Sequence, residues 1–468
     1  MIMQKFVDRK EELSRLRNAF GKNALVIVYG RRRVGKTRLL VEAIKGRPHI
    51  YHLCKEEELH ETLKSLSFKL FRLTGNEEFV RKPIASFEEF FESIPEGTIV
   101  IFDEFQILAR NYPRILGLLQ EYVDFSPKGP VVLCGSSVSM MEELAGYGSP
   151  LYGRRTLSLK VEPLEFFHVG EFFPAYSPED LVKVYGVVGG VPEYLLRFDS
   201  TLSPEKNVRR EFFERGFLYS EAEFLLRYEL RDLSVYNTIL EGISYGHRSF
   251  GELRSVTELD GSKLSRYLSV LMNLGIVKRE TPVTLSTRER ARRRNARYSI
   301  ADNYFAFYYS FVHLFKEEIE LGLLDEPLGN FEKNFNRYLG FVFEGIATQF
   351  LIRLNKGGEL PFSFSRIGRW WHRNEEIDLV ALSERERKAL FVEVKWKELS
   401  GREIRGILKD LKRKAQLVNL EDWEKSYCIV ARGIWDKEEL KKEGLLVYDL
   451  GDFILSEPRP SSSARATS

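Results

Sequence analysis

Residues 24–40, ALVIVYGRRRVGKTRLL, constrain this chain more than any other stretch. An apolar, β-branched run ends at Gly30, a helix-favouring run begins after Lys36, and between them stands Gly30-x-x-x-x-Gly35-Lys36-Thr37. A strand that passes into a helix through a glycine-rich turn leaves backbone N–H groups facing a concavity at the positive end of the helix dipole. The spacing predicts a phosphate cradle formed by Gly30, Arg31, Arg32, Arg33, Val34, Gly35, Lys36, Thr37 and Arg38. In such a cradle Lys36 reaches the β- and γ-phosphate oxygens and Thr37 offers its hydroxyl to Mg²⁺.

Two more apolar runs, GTIVIFDEF (97–105) and GPVVLCGSS (129–137), have the near-continuous hydrophobicity of strands covered on both faces. Helical stretches alternate with them, so the fold class expected is α/β, with a parallel sheet in the nucleotide core. The first run ends in Asp103 and Glu104. Asp103 is predicted to hold Mg²⁺ through water and Glu104 to polarise the water that attacks ATP. The second ends in Ser136, which suits a γ-phosphate sensor and equally a helix cap. LYGRRT (151–156) adds Arg154 and Arg155, each a candidate arginine finger or a plain surface arginine. A finger acting in trans would require a homo-oligomer; one acting in cis would not.

FVDRKEELSRL (6–16), GRRRVGKT, IVIFDEFQ, LCGSS, LYGRRT and GGVPEY (189–194) follow in an order and spacing that resemble the archaeal ATPase family of P-loop NTPases, related to the AAA+ and STAND classes. The resemblance covers roughly residues 1 to 230. It implies ATP and Mg²⁺ as cofactors and places Phe6–Arg9 near the adenine. It also implies a helical lid after the core, with a winged helix and a further domain beyond.

Residues 231–300 read helix, helix, helix and then a hairpin, a winged-helix pattern whose third helix is expected to be capped by Gly261–Ser262. TRERARRRNAR (287–297) places Arg288, Arg290, Arg292, Arg293, Arg294 and Arg297 at the tip or returning strand of the wing. Charge runs are commonly solvated faces, but a strip this basic also suits contacts to DNA phosphates. A Tyr- and Phe-dense helix, DNYFAFYYSFVHLF (302–315), comes next.

IDLVAL and ALFVEVK (377–382 and 389–395) look like paired strands, yet they carry Asp378, Glu393 and Lys395. Unpartnered buried charge costs several kcal/mol. By strand alternation Glu393 and Lys395 share one face, and a hairpin brings Asp378 to it. Two carboxylates and a lysine so placed could hold a divalent metal and activate water for phosphodiester attack. The set resembles the PD-(D/E)XK nuclease core over roughly 335 to 450, with Ile377 where the family has proline. That resemblance implies a role for Glu344 on the preceding helix and for Gln416 on the helix that follows. The alternative is a Glu393–Lys395 ion pair on an exposed hairpin.

The 71 basic and 68 acidic residues nearly cancel, so net charge says little about partners. Three scattered cysteines and seven histidines argue against a disulfide framework or a zinc site. No apolar run reaches bilayer length, so no membrane partner and a cytoplasmic location are expected. The expected division is an ATPase core (1–160), helical lid (161–230), winged helix (231–300), connecting helices (301–334), nuclease-like domain (335–455) and disordered tail (456–468). The expected function is an ATP-hydrolysing protein acting on DNA, its metal-dependent nuclease regulated by nucleotide state. The alternative is a STAND-like regulator that binds DNA or protein through a non-cutting scaffold.

Overall fold

A computed structural model of the chain describes residues 6–21, 24–230, 232–290 and 296–455. They fall into two compact units: one runs to Leu164 and adds Val191–Glu193, and the other holds Glu165–Gly190 and the chain from Tyr194 onward. Arg292, Arg293, Arg294 and the tail lie outside the described residues.

The first unit is built on strands β1 (Leu25–Tyr29), β2 (His49–Leu53), β3 (Ile99–Asp103), β4 (Val131–Gly135) and β5 (Arg155–Lys160), in the order β2-β3-β4-β1-β5. Every neighbouring pair is parallel. Alternation explains the uninterrupted apolar runs. Leu25, Ile27, Val100, Phe102, Val131 and Leu133 enter one core. Val26, Val28, Ile99, Ile101, Val132 and Cys134 enter the core on the opposite face.

One buried polar pair in this unit makes stability depend on pH. His52 on β2 is 2% exposed and its Nδ1 lies 2.9 Å from the Lys69 ammonium. Burial, with Lys69 and Lys55 adding to it, pushes the His52 imidazole down to about 3 from 6.5. The unfolded chain therefore binds more protons between those values, and stability falls as pH drops through that window. His52→Gln is expected to remove up to ~1.4 kcal/mol per pH unit of this dependence, read as a flatter melting-temperature profile between pH 6.5 and 4.

In the second unit the segment after Asp232 forms helices Leu233–Ser244, Phe250–Thr257 and Gly261–Asn273, then the antiparallel ribbon β6 (Val277–Glu280) and β7 (Arg297–Ile300). The cap of the third helix differs from the expected Gly261–Ser262. Asp260 takes that place and accepts from the N–H groups of Ser262 and Lys263 at 2.9 Å each. A carboxylate that accepts two free amides outcompetes a glycine at this position.

The aromatic stretch starts at Asn303, capped by Asp302, and widens into a looser turn over Tyr308–Val312. Two of its buried hydroxyls are satisfied: Tyr304 donates to the Leu218 carbonyl at 2.8 Å and Tyr309 to Asn237 Oδ1 at 2.7 Å. The expected border at 334/335 falls inside one continuous helix, Asp325–Gly357. A mixed sheet follows, β8 (Arg366–His372), β9 (Glu375–Ser383), β10 (Lys388–Leu399), β11 (Glu424–Ile434) and β12 (Leu446–Tyr448), ordered β12-β11-β10-β9-β8. The helix Gly401–Gln416, opened by a Ser400/Glu403 capping box, supplies Leu411 and Ala415 to one core of this sheet and Ile404 to another. Among the described residues no helix is long and apolar enough to cross a membrane.

Candidate functional site

The glycines of the first site are set by geometry. Gly30 (φ +153°) passes so close to the Val161 carbonyl that a Cβ would collide with it, and Gly35 (φ +93°) caps the helix Lys36–Ala43 in a conformation most side chains resist. Lys36 is 6% exposed, and its ammonium turns back into the loop, donating to the Gly30 carbonyl at 2.7 Å and the Arg31 carbonyl at 2.9 Å. Burial holds the Lys36 ammonium below the ordinary lysine value. Its donors are thus confined to the concavity where phosphate oxygens would compete for them.

Thr37 Oγ1 donates to Asp103 Oδ2 at 2.8 Å, so the two predicted Mg²⁺-side groups, 66 positions apart, already touch. The Tyr51 hydroxyl from β2 donates to the same oxygen. Glu104 sits at φ +53° directly after β3 and accepts from the Ser136 hydroxyl at 2.6 Å and from Gln106 Nε2. Ser136 is therefore joined to Glu104 rather than serving only as a cap. Arg154 is tied to Asp124 by two bonds of 2.9 and 2.8 Å, and Arg155 opens β5.

Tyr51 carries no motif of its own and was missed in the sequence, while Gln106 closes the IVIFDEFQ motif without a role having been given to it. Arg9, in the predicted adenine-side segment, is 7% exposed and donates to the Val34 carbonyl at 3.3 Å and the Glu162 carbonyl at 2.5 Å, fastening that segment to the phosphate loop.

The second cluster lies on β9, β10 and the long helix. Asp378 stands one step beyond the last paired residues, Leu379 and Val392, and its Oδ2 accepts the Val394 N–H at 2.8 Å. Glu393 is 7% exposed, and Lys395 donates to its Oε1 at 2.8 Å while lying 3.6 Å from Asp378. The Glu393–Lys395 ion pair exists, but in the interior strand of a five-stranded sheet rather than on an exposed hairpin. Burial works against the charge of Lys395, yet Asp378 and Glu393 outweigh it and raise its value. Burial, then Asp378, pushes the Glu393 carboxyl up, and its Oε2 is buried without a hydrogen-bond partner.

Glu344 also points here. Burial raises its carboxyl to about 7, against the attraction of Arg369, whose Nη2 donates to it. Arg369 reaches Glu376 as well, at 3.1 Å. Neither Arg369 nor Lys414, 3.6 Å from Glu393 Oε1, was anticipated. Gln416 does not take the expected place: it ends its helix exposed, and Lys414, half a turn earlier, faces the acid instead. The KRK run at 412–414 was the available signal for Lys414. Among the described residues no group of three or more His, Cys, Asp or Glu side chains converges as a metal-ligand set.

Of the predicted DNA-contacting arginines, Arg288 and Arg290 lie on the short helix Thr287–Arg290. Arg297 departs from a solvent-facing role: it pairs with Glu376 at 3.0 Å and stacks 4.5 Å above the Trp371 ring. Residues on a two-stranded ribbon alternate faces, and Arg297 falls on the face turned toward β8 and β9.

Residues 6–198 match the family described as an ATPase domain predominantly from Archaea, and residues 308–407 match one described as Archaea bacterial proteins of unknown function. An uncharacterized protein of Methanocaldococcus jannaschii is 40% identical over 458 residues, spanning 96% of this chain and 100% of its own length. Among solved structures, the Walker-type ATPase of Pyrococcus abyssi is similar in fold: TM-score 0.52 at 23% identity, over 66% of this chain and 97% of that one. The ORC2 protein of Aeropyrum pernix, in ADPNP–ADP complexes, matches with TM-score 0.47 and 15% identity over 69% of this chain and 96% of that one.

Proposed function

The chain belongs to the family it shares with the Methanocaldococcus jannaschii protein, an archaeal ATPase domain followed by a domain of unknown function, and we propose that it hydrolyses ATP and cuts DNA. The first unit carries the ATPase. Lys36 supplies charge to the β- and γ-phosphates from the loop it now bridges, and Glu104 orients the attacking water, with Ser136 linking it to the γ-phosphate end. Thr37 and Asp103 present adjacent hard oxygens, a donor pair that fits Mg²⁺, which when bound neutralises charge on the phosphates. Glu104→Gln keeps the shape and removes the base. It is expected to lower turnover ~100-fold while nucleotide affinity, measured by calorimetry, holds.

The three-helix segment and its ribbon act as a winged helix on DNA, and Asp378, Glu393, Lys395 and Glu344 form the cutting centre. One observation carries this reading. Glu393 Oε2 is a buried carboxylate oxygen with no partner, beside a second carboxylate whose charge disfavours its own. A divalent cation would relieve both costs and supply Lewis-acid chemistry for phosphodiester hydrolysis. Lys395 is positioned to orient the attacking water.

The regulator reading has its own support. Lys395, Lys414 and Arg369 already compensate much of the acidic charge, and among the described residues no three His, Cys, Asp or Glu side chains are arranged as a metal-ligand set. The deciding experiment incubates the protein with linear, branched and single-stranded DNA, Mg²⁺ or Mn²⁺, with and without ATP. Metal-dependent cutting supports the nuclease, and its response to ATP reports regulation. Intact DNA in every arm alongside normal ATP turnover leaves the non-cutting scaffold.

A further inference from the structure

The long helix of the second unit carries more than Glu344. Arg337, Phe341 and Glu344 stand at spacings of four and three, so they form one stripe along it. Glu344 ends in the carboxylate cluster, whereas Arg337 and Phe341 line a separate cleft of about 420 Å³. The opposite wall comes from the ribbon and the first strand of the mixed sheet, through Arg297, Trp371 and Arg369. Arg369 is shared: it lines the cleft and donates to Glu344.

The mouth of this cleft has an unusual surface for a soluble domain. Phe341 is 50% exposed and Tyr245 is 59% exposed, two large aromatic side chains partly in water. The Arg248 guanidinium lies 5.3 Å above the Phe341 ring and has no carboxylate partner among the described residues. Arg337 is exposed one turn from Phe341 and likewise has no ion pair there. Deeper in, Arg297 fixes the Trp371 ring by stacking and is held by Glu376. Five basic side chains line the cleft against Glu280 and Glu376.

Flat apolar rings interleaved with unneutralised guanidinium groups match one ligand chemistry, an unpaired base linked to phosphates. The ring faces stack the base and the guanidinium groups take the backbone. A duplex offers no free base face, and its paired width exceeds a cleft of this size. We infer that this cleft binds a single-stranded segment of nucleic acid and leads it along the helix stripe toward Glu344 and the carboxylate cluster. The inference rests on the reading of this unit as one that acts on DNA, and it adds that the strand is handled unpaired.

The test is fluorescence anisotropy with a labelled short oligothymidylate, in EDTA and fixed low salt, so that binding is read without cutting. Phe341→Ala and Arg337→Glu are each expected to weaken binding ~10-fold, and Arg337→Glu to flatten the salt dependence as one phosphate contact is lost. Phe341→Tyr, which restores the ring, should bind like the parent, and melting curves establish that each variant is folded. Unchanged affinity in both folded variants overturns the inference. So does an equal loss on blunt duplex, which assigns the cleft to paired DNA, or competition by thymidine monophosphate at the oligonucleotide's own concentration, which makes it a nucleotide pocket. Binding that depends on the cleft without any cutting removes the nuclease and keeps the cleft. Cutting of single strands at parental affinity in the variants does the reverse.

Discussion

Lys36→Ala is expected to reduce ATP turnover at least ~100-fold, measured by phosphate release at saturating ATP and Mg²⁺. The side chain is 6% exposed, and its ammonium donates to two carbonyls of its own loop. A buried ammonium so placed exchanges those carbonyls for phosphate oxygens at small reorganisation cost, and alanine offers nothing in return. Truncation leaves two carbonyls without a donor, a loss of about 1–3 kcal/mol. Lys36→Met fills the same volume and separates the two effects: it should restore packing but not turnover. Full activity in either variant would mean that ATP is handled elsewhere.

Asp378→Asn is expected to abolish metal-dependent DNA cutting, by roughly a thousandfold, and to leave ATP turnover at the parental rate. Asparagine keeps an oxygen to accept the Val394 N–H, so the strand should hold. What disappears is a negative charge 3.6 Å from Lys395 and beside the buried Glu393. Without it the site would lose a hard anionic ligand, and the lysine one of the three carboxylates that raise its value. Gel assays on all three DNA forms, with a melting curve for each protein, give the result. A variant that cuts as well as its parent would remove Asp378 from the chemistry.

The nucleotide site was largely legible because its residues are near neighbours in sequence or stand at strand ends. Gly30 to Thr37 is one loop, and Asp103 and Ser136 close recognisable apolar runs. The carboxylate cluster was legible in part: alternation along β10 put Glu393 and Lys395 on one face, and the hairpin register brought Asp378 alongside. Arg369 and Lys414 were not, since a lone basic residue on a strand or helix looks the same whether it meets solvent or an acid. The placement of Arg297 was not legible for a related reason. Composition marks a basic segment, but only the packing of the ribbon decides that Arg297 meets Glu376 and Trp371.

Local chemistry therefore determined the phosphate loop, the parallel core and the acid–lysine pattern. Each depends on backbone conformation and on periodicities of two or 3.6 residues, which a sequence carries directly. Tertiary structure alone decided that Tyr51 and Thr37 share Asp103, that Ser136 joins Glu104, and that Arg337 and Phe341, two turns and one turn from Glu344, open onto a basic cleft. Those contacts join segments from tens to more than a hundred positions apart, or depend on which face of a helix another element covers. No local preference encodes which partner a side chain meets across the fold; the packing of the elements does.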